Sequence, residues 1–326
     1  MAHNITVRED GKAEVFVTKV PAWHGLGQVV ENSPTSKEAI VQAGLDWGVE
    51  KVDLFAYYGE TLKQVDGKVG IQRQDNGRVL GVTGVKYQPV QNVEAFDLLD
   101  TIAGEEGLKY ESAGSLNGGS MIWLLAHMPE ATFITPDDRT ENYILLKSGH
   151  DGLTSMEAML TKVRVVCQNT LNMALRSGKN RIRVKHCLNA KDKIAQAREI
   201  LLGIKAESND LDSILRSLSI VGIASDKVTE YLDKMFPLPV VEDKDRPRTK
   251  TVNIRNQILT NFEYDEEQNT EATKGTAYGL LNATTKWVDH QRNPKNAYNR
   301  WESAMFGQGS DLKVEALVQI RKIVGV

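Results

Sequence analysis

The sequence predicts an α+β fold: an antiparallel β-meander sheet with a packed helix, followed by a mainly helical C-terminal region. Three observations predict it. Up to about residue 188, extended runs alternate with turn dipeptides. One amphipathic segment interrupts them. From residue 189 onward, apolar residues recur at the helical period instead.

Taken in order, Asp66-Gly67 and Asn76-Gly77 are hairpin signals, because two-residue primed turns need positive φ and these dipeptides tolerate it. Ile71–Arg73 and Arg78, Leu80 and Val82 flank the second turn. Asn92 is placed to cap a helix carrying Val93, Phe96, Leu99 and Ile102, with Gly104 ending it. Asn117-Gly118-Gly119 joins LKYESAGSL to SMIWLLAHM, and His150-Asp151-Gly152 lies between NYILLKSG and MLTKVRVVC. Helical stripes then follow at Ile194, Ala197, Leu201 and Ile204, and at Leu211, Ile214, Leu215 and Leu218. Val228, Tyr231, Leu232 and Met235 form a third stripe, with Ser225 as its cap. A Pro-rich stretch near 236–249 reads as an exposed loop, after which helical spacing resumes from Ile254, from Ala277 and from Leu312. The division expected is a strand-rich α+β core over 1–188 and a helical region over 189–326.

Of the 326 residues, 41% are hydrophobic and 25% charged, which excludes a collagen, a disordered tail and a disulfide scaffold. No window approaches the ~18 uninterrupted apolar residues of a membrane span, and MAHNITVRED has no apolar signal core, so a cytoplasmic protein without membrane contact is expected. Cys167 and Cys187 are then expected to stay reduced. SGKN at 177–180 lacks the rest of a phosphate-binding loop, and no dinucleotide fingerprint or nucleophile elbow is present. His186 beside Cys187 has too few neighbouring ligands for zinc. PDDRTENYILLK misses the nuclease Glu-x-Lys spacing and reads as a solvated loop, and His24 in PAWHGLG as an ordered loop packed on Trp23. The expectation is no cofactor, no metal and no assigned catalytic residue.

The net charge of −3 argues against wholesale coating of nucleic acid, but the charge is unevenly spread. From Lys162 to His186 the chain holds Lys162, Arg164, Arg176, Lys179, Arg181, Arg183 and Lys185 and no Asp or Glu. Such a one-sign stretch is a candidate phosphate surface, because each phosphate neutralised releases a condensed counterion. Arg181, Arg183 and Lys185 alternate with Ile182 and Val184, and Lys162 and Arg164 with Val163 and Val165, as on two strands with basic outer faces. A short helix over Asn169–Leu175 would bridge them. A second segment, 286–301, interleaves Lys286, Arg292, Lys295 and Arg300 with Trp287, Tyr298 and Trp301, a mixture suited to unstacked bases. Spacing from Leu280 and Thr284 assigns Trp287 itself to a core stripe. Tyr87, just before the helix start at Asn92, is a further stacking candidate beside free N–H groups.

Five stretches, KYQPVQNVEAFDLLD, RVVCQNTLNMAL, IRVKHCLNAKDKI, GTAYGLLNATTKWVDH and NRWESAMFGQGSDLKVEAL, with AWHGLG near the start, carry a resemblance. The chain resembles the phage/plasmid-related protein family defined by the domain of unknown function 932, over nearly its whole length. That resemblance implies a phage or mobile-element setting. The layout is also similar to that of phage single-strand annealing proteins of the Red-beta and Erf type, which bind single-stranded DNA in basic grooves of rings or filaments and use no nucleotide. The chain departs from that layout in its acidic total charge and its lack of a long basic C-terminal tail.

The function expected is therefore single-stranded nucleic-acid binding that promotes annealing or recombination without ATP. Single-stranded DNA and further copies of the chain (ring or filament) are the expected partners, with a single-strand-binding protein or exonuclease beside them. The rival reading is a protein-binding module that inhibits a host defence or replication factor. An enzyme built on His150, Asp151 and His186 comes third.

Overall fold

The computed structural model describes residues 5–18, 27–32, 34–106, 108–164, 170–172, 182–183, 190–239, 245–292 and 300–326. The chain opens with β1 (Val15–Thr18), β2 (Gln28–Val30) and α1 (Ser36–Gln42). Three longer strands follow, β3 (Val49–Tyr58), β4 (Thr61–Arg73) and β5 (Val79–Gly84), then α2 (Asn92–Glu106). Next come β6 (Lys109–Leu116), β7 (Met121–His127), β8 (Thr132–Thr135), β9 (Asp138–Gly149) and β10 (Glu157–Arg164). Two short strands, β11 (Thr170–Asn172) and β12 (Ile182–Arg183), precede the helices α3 (Ala190–Ser219), α4 (Ser225–Met235) and α5 (Asp245–Tyr264). The chain closes with α6 (Ala277–Lys286), α7 (Arg300–Phe306) and α8 (Gln308–Val324). The fold class is α+β, as the sequence predicts.

Two compact units interleave along the chain. One holds residues 1–129, 143–159 and 181–204; the other holds 130–142, 160–180 and 205–326. The composition break near residue 188 does not mark their border, because β9, β10 and α3 each begin in one unit and end in the other.

In the first unit, β6, β7 and β9 form an antiparallel meander, with β1 antiparallel to β6 and β2 parallel to β1. Phe16, Leu45, Phe96, Leu99, Ile102 and Ile122 are nearly or fully buried and make its core. A separate sheet runs β3-β4-β5. The Asn76-Gly77 turn joins β4 to β5 as expected, with Gly77 at φ +71. Asp66-Gly67 does not make a hairpin. The β3–β4 turn lies at Gly59-Glu60, with Tyr58 paired to Thr61 and Gly59 at φ +64, the conformation a glycine-first primed turn needs. Asp66 and Gly67 instead sit in a bulge of β4, where the register slips between Asp53 and Phe55 and Gly67 takes φ +71.

Helix α1 begins in a capping box: Thr35 Oγ1 accepts from the Glu38 amide, and the Glu38 carboxylate accepts from the Thr35 amide. Asn92 is not the cap of α2. Its amide donates to the carbonyls of Leu45 and Trp47, and the Glu94 carboxylate accepts from the Gln91 N–H instead. The helix also runs through Gly104 to Glu106.

In the second unit, α6 lies at the centre, with every residue from Ala277 to Thr285 buried. Leu211, Leu215, Leu218, Tyr231, Leu232, Ile258, Leu317 and Ile320 share its core. The two stripes of 194–218 belong to one 30-residue helix, α3. Helix α5 starts at Asp245, inside the expected Pro-rich loop, and takes Pro247 into its first turn, where no intrahelical donor is lost. Residues 240–244 of that stretch lie outside the described residues.

Candidate functional site

The basic segment begins on β10, whose C-terminal half pairs antiparallel with β11: Thr161 with Asn172, Lys162 with Leu171 and Val163 with Thr170. Residues 170–172 are thus strand, where the sequence suggested a helix over 169–175. Thr170 is β-branched and meets Val163 in the ladder, which favours extension. The N-terminal half of β10 pairs with β12, Glu157 with Arg183 and Ala158 with Ile182. The strand expected over residues 181–185 is described only at Ile182–Arg183, and it meets β10 at Glu157 and Ala158 rather than beside Lys162 and Arg164. This register does not form the expected basic row and sets Arg183 across from an acid.

Lys162 is a correction. Its side chain is 1% exposed, and the ammonium lies 2.7 Å from Asp212 Oδ1, donating also to Asn142 Oδ1 at 2.6 Å and Ser208 Oγ at 2.9 Å. Thr132 donates to Asp212 Oδ2 at 2.9 Å, and Asn142 Nδ2 donates to Thr132 Oγ1 at 3.2 Å. Ala158, Met159, Leu160 and Thr161 are buried as well, so an alternation of basic outer and apolar inner faces does not hold along β10. Burial pushes the Lys162 ammonium below its ordinary range, and Asp212 opposes that shift. The charge is compensated inside the second unit and is not offered to a phosphate.

Arg176, Lys179, Arg181, Lys185, Lys295 and Tyr298 lie outside the described residues, as do His24 and His186. Arg164 ends β10, Arg183 lies on β12 and Arg300 opens α7, with only their backbone described. Arg292 is part-buried within the second unit; its guanidinium donates to Ser303 Oγ at 3.1 Å and to Gln308 Oε1 at 3.3 Å. Tyr87 is half-buried, and burial with the nearby Asp151 charge raises its phenol. At the start of α2 the Glu94 carboxylate accepts from the Gln91 N–H and sets a negative charge there, which opposes a second anion near Tyr87. Trp287 is core, as its spacing predicts, with its N–H donating to Gln257.

One open groove of about 630 Å³ lies in the second unit, and residue-by-residue reading missed it. Asn209, Asp212, Ser213, Arg216 and Ser217 of α3 line it, with Ile134 and Thr135 of β8 opposite. Asn209, Ser213 and Ser217 recur every four residues, which puts amide and hydroxyl groups on one helix face. That polar ladder was legible in the sequence beside the apolar stripe. Arg216 is tethered by its Nε donating to the Phe133 carbonyl at 3.2 Å.

The first unit holds a denser polar cluster. Arg73 is 1% exposed and makes two hydrogen bonds to Glu14 (2.7 and 3.2 Å) and two to Asp75 (2.6 and 2.9 Å), with one to the Gly118 carbonyl. Ser115 Oγ adds a short hydrogen bond to Glu14. Burial alone lowers the basicity of Arg73, but its hydrogen bonds to Asp75 and Glu14 outweigh it and the net shift is upward. The guanidinium sits 4.0 Å from the Trp47 ring, which meets His150 edge-on at 5.4 Å. His150 is fully buried, with Nε2 2.8 Å from Asn92 Oδ1. Because Asn92 Nδ2 already donates to two carbonyls, Oδ1 is the acceptor and His150 is the Nε2–H tautomer. Burial, reinforced by Arg73 and opposed by Asp151, lowers the imidazole to about 4. Asp151 orders its own turn, accepting from the amides of Leu153 and Thr154. His150 and Asp151 are thus held by these hydrogen bonds, and His186, the third residue of the enzyme reading, lies outside the described residues.

An α+β chain of two interleaved units, each tied by a buried ion network, is the class these observations define. The chain belongs to the family defined by the domain of unknown function 932, whose model matches residues 79–306. The match takes in Lys162, Asp212, the α3 groove and all of α6, and leaves out Glu14, Arg73 and the β3–β4 ribbon. No curated protein and no solved structure matches the chain.

Proposed function

We propose that this chain binds single-stranded nucleic acid and promotes strand annealing, without ATP, in a phage or mobile-element setting. The observation that carries the reading is the acid-free stretch from Val163 to His186, with six Lys or Arg residues in a chain of net charge −3. Arg164, Arg176, Lys179, Arg181, Arg183 and Lys185 are the phosphate-binding residues proposed. Annealing needs neutralised backbones and exposed bases, and neither requirement involves making or breaking a covalent bond.

The test is a gel shift of the full chain with short single- and double-stranded oligonucleotides across a salt series. Binding to the single strand that weakens as salt rises is the expected result, with annealing of complementary strands in the absence of ATP. No shift at the lowest salt overturns the reading and leaves the protein-binding alternative ahead. Annealing that required ATP hydrolysis would remove the proposed mechanism.

A further inference from the structure

Beyond Leu54 and before Gly67, β3 and β4 form a two-stranded ribbon in which nearly every side chain is exposed. Tyr57 is 80% and Tyr58 76% exposed, and Phe55 and Leu62 are each more than half exposed. Strand β5 pairs only with the Lys68–Gln72 end of β4, so no third strand supports the ribbon among the described residues. A lone two-stranded hairpin is marginally stable in water, and a long apolar edge strand is a template for another strand.

Over the ribbon β4 is also unpaired on its far side among the described residues, but the edge that runs the full length of its strand belongs to β3, at the end of the order β3-β4-β5. Its main chain is already met at Val49, where the Gln91 side chain accepts from the amide and donates to the carbonyl, both at 2.9 Å. Outward groups alternate along a strand, so Lys51, Asp53, Phe55 and Tyr57 present theirs on the same edge. The Tyr58–Thr61 pair closing a two-residue turn gives the same phase from the other end.

We propose that this edge pairs antiparallel with the same edge of a second copy of the chain. With Val49 occupied, the four outward residues match symmetrically about Leu54, Lys51 opposite Tyr57 and Asp53 opposite Phe55 of the second copy. The two ribbons then form one four-stranded sheet. Charge favours this occupant over a nucleic-acid strand. Residues 49–68 carry Lys51, Lys63 and Lys68 against Glu50, Asp53, Glu60 and Asp66, so the ribbon has no excess positive charge to hold a phosphate backbone, whereas main-chain pairing with another strand needs none. The inference stands independently of the nucleic-acid reading.

The experiment is light scattering on the full chain over a concentration series without nucleic acid, for wild type and for Phe55→Lys/Tyr57→Lys. Edge lysines block strand pairing. The wild type is expected at twice the single-chain mass or more, and the double variant at 36.2 kDa with an unchanged melting temperature. Should the double variant melt early, Tyr57→Pro, which deletes one outward N–H, gives the same reading. A wild type at single-chain mass throughout, or variants that keep the wild-type mass, would overturn the proposal. Variants that keep their mass but lose oligonucleotide binding would reassign the ribbon to nucleic acid and also overturn it.

Discussion

At the scale of single residues, buried charge is organised by partners far away in sequence. Arg73 reaches Glu14 across 59 positions, and Lys162 reaches Asp212 across 50. Removing Arg73 takes the closest cation from Glu14, which keeps only Arg8 at 3.5 Å and the Ser115 hydrogen bond, and removing Lys162 leaves Asp212 the hydrogen bond from Thr132. Arg73→Met is therefore expected to cost about 3–5 kcal/mol, read as a lower denaturant midpoint. Lys162→Met is expected to lower the melting temperature in the same way while leaving the salt dependence of oligonucleotide binding unchanged. A shallower salt slope in that variant would put Lys162 back on the binding surface.

His150 supplies a pH test. Its folded value of about 4 lies below the ordinary 6.5, so as pH falls the unfolded chain takes up its proton first. Stability should therefore be fully present above pH 6.5 and drop between 6.5 and about 4, by up to about 1.4 kcal/mol per pH unit. His150→Gln should flatten that part of the profile, as read by urea midpoints at two pH values. Local sequence did not disclose these roles. Lys162 alternates with Val163 just as an outward-facing residue would, and Asp212, which turns it inward, lies on another element.

At the scale of elements, periodicity located α2, α4 and α8 because one apolar stripe faces one core, a signal that survives without tertiary knowledge, and it located α6 although that helix is buried on every side. Turn chemistry was legible where glycine occupies the turn itself, at Asn76-Gly77 and Asn117-Gly118-Gly119. It misled at Asp66-Gly67, because a β-bulge and a hairpin both ask for positive φ. Thr35-Ser36-Lys37-Glu38 carried the capping-box pattern that begins α1, a signal the apolar spacing of so short a helix does not repeat. Gly279 is required for packing: a Cβ there would lie 1.8 Å from the Thr273 carbonyl oxygen, against the loop that caps α6. Gly279→Ala is expected to destabilise by about 1–3 kcal/mol through overpacking of the second unit's central helix. An unchanged melting temperature would mean the loop moves aside freely.

At the scale of the whole molecule, charge balance and charge distribution give different messages. The chain is acidic in sum, yet 24 consecutive residues from Val163 to His186 contain no acid. Turn signals and periodicity placed the fold class correctly but not the border between the compact units, because three elements run from one unit into the other and share one continuous pattern. The most direct test of nucleic-acid binding compares wild type with Arg181→Gln/Arg183→Gln/Lys185→Gln by the slope of log affinity for a single-stranded oligonucleotide against log salt. The triple variant should melt normally, bind more weakly and show a slope shallower by up to about 0.7 for each phosphate no longer neutralised. A triple variant that melts normally and binds with the wild-type slope would contradict the account, because the charge of this segment would then play no part in binding.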